Sequence, residues 1–211
     1  MSEPAPFTGF PEAALDFYDD LEVDNTKSFW ADHKHIWELA VRDPMRALTA
    51  ALAPEFGEAK IFRPYRDVRF AKDKTPYKSH QGAFVAVGPR TGWYVQIGAP
   101  GVRTSTGFYD ADAEHLRRFR DAVVDDRRGT ELEQLLAELE GDGWVRGGDR
   151  LKTSPRGYDA DHPRIDLLRH RSLSVSREHG FAPYVHTAEL LDRVRDDWRA
   201  TRPLVEWLTR L

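Results

Sequence analysis

The sequence predicts an α+β fold: one domain over residues 1–211, with a central, mainly antiparallel sheet flanked by N-terminal and C-terminal helices. Strands are expected over about residues 60–108 and again at 172–176. Three observations carry this. Apolar residues recur at helical spacing before about residue 52 and after about residue 112. The stretch between them is rich in aromatic and β-branched residues punctuated by turn dipeptides. Helices, strands and helices come in blocks rather than alternating, which argues against a parallel α/β sheet.

The elements follow in order. PEAALDFYDDL at 11–21 places Ala14, Leu15, Phe17, Tyr18 and Leu21 on one helical face, with Pro11 suited to a first turn. Asn25 or Thr26 can cap a second helix running through Phe29, Trp30, His33, Trp37, Leu39 and Ala40. Asp43-Pro44 reads as a cap and first-turn proline for a third helix, ending near Leu52. KIFRPYRDVRF suggests one or two short strands, with Pro64 confining them to an edge or a bend. GAFVAVG and GWYVQIGA, joined by Pro89-Arg90-Thr91-Gly92, form a hairpin, and a third strand follows Pro100-Gly101. Helix resumes near Asp112. Thr130 and Glu133 have capping-box spacing ahead of another helix. Residues 143–162 read as irregular, Pro163 can open a short helix, and SLSVS at 172–176 reads as a strand. The tail from Thr187 is a long amphipathic helix with a kink near Pro203.

Composition narrows the function classes. With 211 residues the chain can bury a core without covalent staples. It has no cysteine, so disulfides, thiol nucleophiles and cysteine zinc sites are excluded. The N-terminus lacks a basic start followed by an apolar run, and no apolar window reaches membrane-spanning length, so the expectation is a soluble cytoplasmic protein. The net charge is −4, yet residues 60–80 carry seven Lys and Arg against two Asp, a local +5 that leaves the remainder at −9. Segregated charge makes a local field that attracts anions. The acidic remainder disfavours broad duplex binding.

Within the basic stretch Arg63, Arg66 and Arg69 recur every three residues. On a helix they share a face; on a strand two of them do. Guanidinium suits bidentate recognition of phosphate or carboxylate. Lys72, Lys74 and Lys78 add point charges, Asp67 can orient an arginine, and Tyr77 is a hydrogen-bonding or acid/base candidate. A purely structural Arg–Asp network explains the same residues, as does a surface for a protein or nucleic-acid partner, and all three readings stay open.

The pattern Arg63-x-x-Arg66-Asp67-x-Arg69-Phe70-x-x-x-Lys74-x-x-Tyr77 resembles the signature of the family known as domain of unknown function 2461, conserved hypothetical proteins mostly from bacteria. Asn25, Phe29-Trp30 and His33-Lys34 resemble its opening helices. Pro155-Arg156-Gly157-Tyr158-Asp159-x-Asp161-His162-Pro163 resembles a later loop. The resemblance implies that these residues belong to the family's characteristic feature, and it supplies no substrate, cofactor or reaction.

Asp159, Asp161 and His162 form a second candidate: two carboxylates and an imidazole that could bind a cation or act as catalytic bases, or else cap the helix after Pro163. If this loop meets residues 63–78, metal-assisted phosphoryl or phosphodiester chemistry follows. His33 and His35 point about 200° apart on a helix and do not share a ligand. Ser174 and Ser176 lack nucleophile-elbow glycines, and no phosphate-loop or dinucleotide motif occurs. The expected partner is a small anion. The sequence names no cofactor and no oligomeric state.

Overall fold

The computed structural model describes residues 5–211. Six strands form one antiparallel sheet: β1 Ala59–Ile61, β2 His80–Gly88, β3 Thr91–Gly98, β4 Gly101–Phe108, β5 Val145–Gly147 and β6 Leu173–Gly180, in the order β1-β2-β3-β4-β6-β5. Both edge strands run antiparallel to their neighbours, with Lys60 opposite Phe84 and Arg146 opposite Val175. The α+β architecture expected from the blocks of periodicity is therefore present. Two compact units share the chain: Met1–Val85, Tyr94–Thr104 and Glu178–Asp196 make the first, and Ala86–Trp93, Ser105–Arg177 and Asp197–Leu211 the second.

The first unit begins with α1 Ala13–Val23, whose buried residues are those the helical spacing selects: Ala14, Leu15, Phe17, Tyr18 and Leu21. Thr26 caps α2 Lys27–Ile36, its hydroxyl accepting from the Phe29 N–H at 3.2 Å. The expected break at Asp43 is absent. The chain stays helical through a π-helical turn, Trp37–Arg42, into α3 Asp43–Phe56. The Asp43 N–H reaches back five residues to the Glu38 carbonyl. The wider turn admits Pro44, whose ring would meet the preceding turn of a regular α-helix. Asp43 turns its carboxylate to Arg42 Nε at 2.9 Å instead of capping.

The second unit holds α4 Ala113–Val124, α5 Asp126–Gly141, α6 Ile165–Leu168 and α8 Arg202–Thr209 around Phe108, Phe119, Leu132, Leu136, Trp144, Leu168, Leu173, Val175, Leu204 and Trp207. Asp112 caps α4 through the His115 N–H. The capping-box expectation at Thr130 is corrected: α5 starts earlier, capped by Asp125 through the Arg128 N–H at 2.8 Å. Thr130 and Glu133 instead receive Arg164, whose Nη2 donates to the Thr130 hydroxyl and Nε to Glu133, both at 2.8 Å. The Arg164 side chain is only 11% exposed. The tail is also corrected. It forms α7 Glu189–Ala200 and α8 as separate helices: the Thr201 N–H and hydroxyl both donate to the Asp197 carbonyl, and Pro203 has no N–H to continue the ladder. The strand β5 lies in a stretch that composition reads as irregular; three residues are too few for an alternation signal.

Replacing Arg164 with Met leaves Glu133, Thr130 and the end of α4 without their donor. A loss of about 1–3 kcal/mol in unfolding free energy is expected from urea titration. His170 supplies a pH dependence. It is buried, with Nδ1 2.8 Å from the Ser172 carbonyl, and burial pushes its pKa down despite that bond, with Arg150 and Arg146 adding to the depression. A base whose native pKa is depressed takes up more protons when unfolded. Stability is therefore full above the unfolded value of about 6.5 and falls as pH drops towards the native value. Denaturation midpoints measured from pH ~7.5 to ~5.5 should decline, and His170→Gln should flatten that decline.

Candidate functional site

Residues 62–79, which hold the expected anion ligands, are neither helix nor continuous strand. They leave β1, form a loop, and re-enter at β2, with one antiparallel bridge, Tyr65 to Tyr77, across the neck. The short strands expected over KIFRPYRDVRF therefore shrink to β1 and this bridge. Pro64 and Pro76 remove two N–H donors from the paired segments, so the ladder cannot extend. Two backbone bonds close the neck instead: the Arg66 N–H to Pro76 O at 2.9 Å and the Lys78 N–H to Pro64 O at 2.8 Å.

Asn25 anchors the neck to the helices. Its Nδ2 donates to the Tyr77 carbonyl at 3.0 Å, and its Oδ1 accepts from the Tyr77 N–H at 3.1 Å. Tyr77 is buried and lies flat on Trp30, with ring centroids 4.2 Å apart and planes 8° apart. Burial, with a smaller contribution from Tyr65, raises the Tyr77 pKa, which keeps its phenol protonated. At the other end the Gln81 amide donates to the Phe62 carbonyl at 2.7 Å.

Arg66, Arg69 and Lys74 are engaged within the loop. Arg69 makes a bidentate pair with Asp67, Nε to Oδ1 at 2.9 Å and Nη2 to Oδ2 at 2.6 Å, and its N–H also reaches Oδ1. This holds the Asp67 carboxyl below the usual range. Arg66 pairs with Asp73 and donates to the Thr75 hydroxyl at 2.7 Å. The Thr75 N–H and hydroxyl, then Arg66, lower the Asp73 pKa. Lys74 donates to the Val68 carbonyl at 2.9 Å.

A different set of cations gathers beside the loop on the sheet. His80 and Gly82 of β2, Tyr94 and Gln96 of β3, Arg103 of β4 and Glu178 of β6 stand on the face opposite the buried Gln81, Ala83, Trp93, Val95 and Ile97. A Cβ at Gly82 would lie 2.2 Å from the Tyr94 hydroxyl oxygen, so glycine leaves room for that phenol to cross β2. Gln96 Oε1 accepts from the Tyr94 hydroxyl and from Arg103 Nη2, both at 3.1 Å. Burial pushes the Tyr94 pKa up to about 12. Arg103 Nε is buried, has no hydrogen-bond partner, and is 3.7 Å from Glu178. Lys78 places its ammonium 5.2 Å from the Phe62 ring centroid. Burial and then Arg63 lower the Lys78 pKa. Burial, followed by Lys78, Arg103 and Arg66, lowers that of His80. Among the described residues neither Arg63 nor Lys78 has a hydrogen-bonding or ion-pairing side-chain partner. Lys78 was singled out by the sequence, as part of the basic stretch, whereas His80, Gln96 and Arg103 were not. Their signal lies in cross-strand register, which spacing along the chain does not display.

The Asp159, Asp161 and His162 segment belongs to the second unit and forms a turn. Asp159 Oδ1 accepts from the Asp161 N–H at 3.1 Å, and His162 Nδ1 accepts from the Arg164 N–H at 3.0 Å. The imidazole thus bonds within the turn ahead of α6, whose N-cap residue is Arg164 and which has no side-chain cap. Among the described residues no group of three or more His, Asp and Glu is arranged to hold a metal ion. No helix among them is long and apolar enough to cross a membrane.

Asn25→Ala removes both bonds to the Tyr77 backbone. It should cost about 1–3 kcal/mol in urea unfolding and speed amide exchange at Arg66 and Lys78, while exchange in α5 is unchanged. Unaltered exchange at the neck would show that the Trp30–Tyr77 stack holds the loop without Asn25.

No curated protein matches the chain. The family model described as conserved hypothetical protein, domain of unknown function 2461, matches residues 13–207, nearly the whole length. The chain therefore belongs to this family of conserved hypothetical proteins.

Proposed function

We propose that the first unit binds a small anion, phosphate or carboxylate, on the sheet face beside the basic loop. Arg103, Lys78 and Arg63 supply the charge, and His80, Gln96 and Tyr94 supply neutral hydrogen-bonding groups. The observation that carries this reading is the set of cations around His80, of which Lys78 has no ion-pair partner among the described residues and Arg103 leaves a buried Nε without a hydrogen bond. Lys78, Arg103 and Arg66 all act on the imidazole in the same direction. Among the described residues Glu178 is the carboxylate that meets this face, at 3.7 Å from Arg103. Like charges held together cost free energy unless a counter-charge joins them, and Arg103 Nε is a buried donor with nothing to bond. An anion would correct both.

The reading moves the ligand contacts away from Arg66, Arg69 and Lys74, which act as loop staples, and leaves Asp67 to orient Arg69. Tyr77 anchors the loop, and Asp159, Asp161 and His162 shape a turn. It is a reading of binding rather than of catalysis: among the described residues no hydroxyl is hydrogen-bonded to His80, so no activated nucleophile accompanies the cations.

Thermal denaturation with sulfate, phosphate and dicarboxylates, matched for ionic strength with chloride, tests it. At a hundred times its dissociation constant a ligand adds about 2.7 kcal/mol. The wild type should shift more than Arg103→Gln and Lys78→Gln, which remain folded and report the general salting effect. The sulfate shift should also grow as pH falls below about 6.5, because an anion offsets the cations and His80 takes up a proton on binding. Sulfate keeps its charge through that range. Equal shifts in the wild type and both variants would remove the site.

A further inference from the structure

The tip of the basic loop has a separate property. Phe70 is 98% exposed, although the loop around it is held in shape by the Asp67–Arg69 pair, the Arg66–Asp73 pair, the Lys74–Val68 bond and the Tyr65–Tyr77 bridge. These staples present the ring to solvent instead of letting it fold back. Residues 62–79 carry six basic side chains against two acidic ones, and Lys72 has no partner among the described residues. The occupant that suits this tip is acidic, with apolar surface for the ring.

The same unit presents such a surface. Residues 12–24 contain six acidic side chains and no basic one. Glu12, Asp16, Asp20 and Asp24 recur every four residues and make one stripe along α1, flanked by Asp19 and Glu22. None of the six has a hydrogen-bond or ion-pair partner among the described residues. Like charges at this spacing repel, and those near the C-terminus of the helix also oppose its dipole. Val23, 89% exposed, stands at that end. Asn25 follows directly and holds the loop neck through Tyr77, so the acidic stripe and the root of the basic loop are neighbours. Two complementary surfaces side by side on one unit become self-complementary under a two-fold rotation.

We propose that the chain pairs with a second copy of itself, the Phe70 loop of each copy seated on the acidic face of α1 of the other. The pairing does not depend on the anion site. Sedimentation velocity over a wide protein concentration range tests it at low and high salt. The wild type should dimerise at low salt and dissociate as salt screens the charges. Phe70→Ser and Lys72→Glu, and separately Asp16→Lys with Asp20→Lys, should each weaken association at least tenfold. All these positions are solvent-exposed, and unchanged circular dichroism and melting would show that the variants fold. Mixing the Lys72→Glu chain with the Asp16→Lys, Asp20→Lys chain pairs reversed charges at one of the two contacts and should recover less association than wild type but more than either variant alone. A wild type that stays monomeric at low salt, or a dimer indifferent to both sets of substitutions, overturns the proposal. So does a monomer that co-sediments with anionic phosphatidylserine vesicles through Phe70, which would assign the tip to a lipid surface.

Discussion

One side-chain amide does for the 62–79 loop what a neighbouring strand does for a β-strand. Asn25 offers a donor and an acceptor to the backbone of Tyr77 and receives both bonds in return. An eighteen-residue excursion needs such a fixture, because ordering each residue costs about 1–2 kcal/mol of backbone entropy. The Trp30–Tyr77 stack adds its own contribution, about 0.5–1.5 kcal/mol beyond area burial. With the neck fixed, short-range pairs between Asp67 and Arg69 and between Arg66 and Asp73 suffice to shape the tip. Those pairs are exposed, and exposed pairs are individually weak. They shape a loop whose neck is already held.

The fixture also decides which cations are available. An arginine engaged with a carboxylate in its own loop has less left for a ligand, and Arg69 illustrates this with its Nε–Nη2 edge on Asp67. Arg63 and Lys78 lie where the loop joins the sheet, outside that network. Arg103 comes from a strand far away in sequence and shares Gln96 with Tyr94. The anion reading therefore rests on groups left over by the structural network, and the network is what positions them.

Charge segregation has two faces in this molecule. The basic loop is legible as an excess of Lys and Arg. Its counterpart, the acidic stripe of α1, is equally legible as residues spaced by four. What the chain does not do is pair them internally: Arg66 and Arg69 pair within the loop, Lys72 has no partner among the described residues, and the α1 carboxylates have none there either. Opposite charges kept adjacent but unpaired make a surface with polarity, and such a surface favours association in a defined orientation.

By itself the sequence determined the class of fold, because alternation and helical periodicity are local properties: the α1 core face, the hairpin and the strands after it fall where their residues dictate. It also determined the family and the basic segment, through residues close in the chain. Its errors came where distant groups compete with local signals. Thr130 and Glu133 have the spacing of a cap but serve Arg164, thirty or more residues away. Asp43-Pro44 has the look of a helix start, but a π-helical turn carries the chain through. Which cations stay free, and which strands bring Gln96, Arg103 and His80 to one face, only the tertiary structure decided. Partner choice among charged groups depends on distance in space, and sheet register sets that distance between residues the sequence keeps apart.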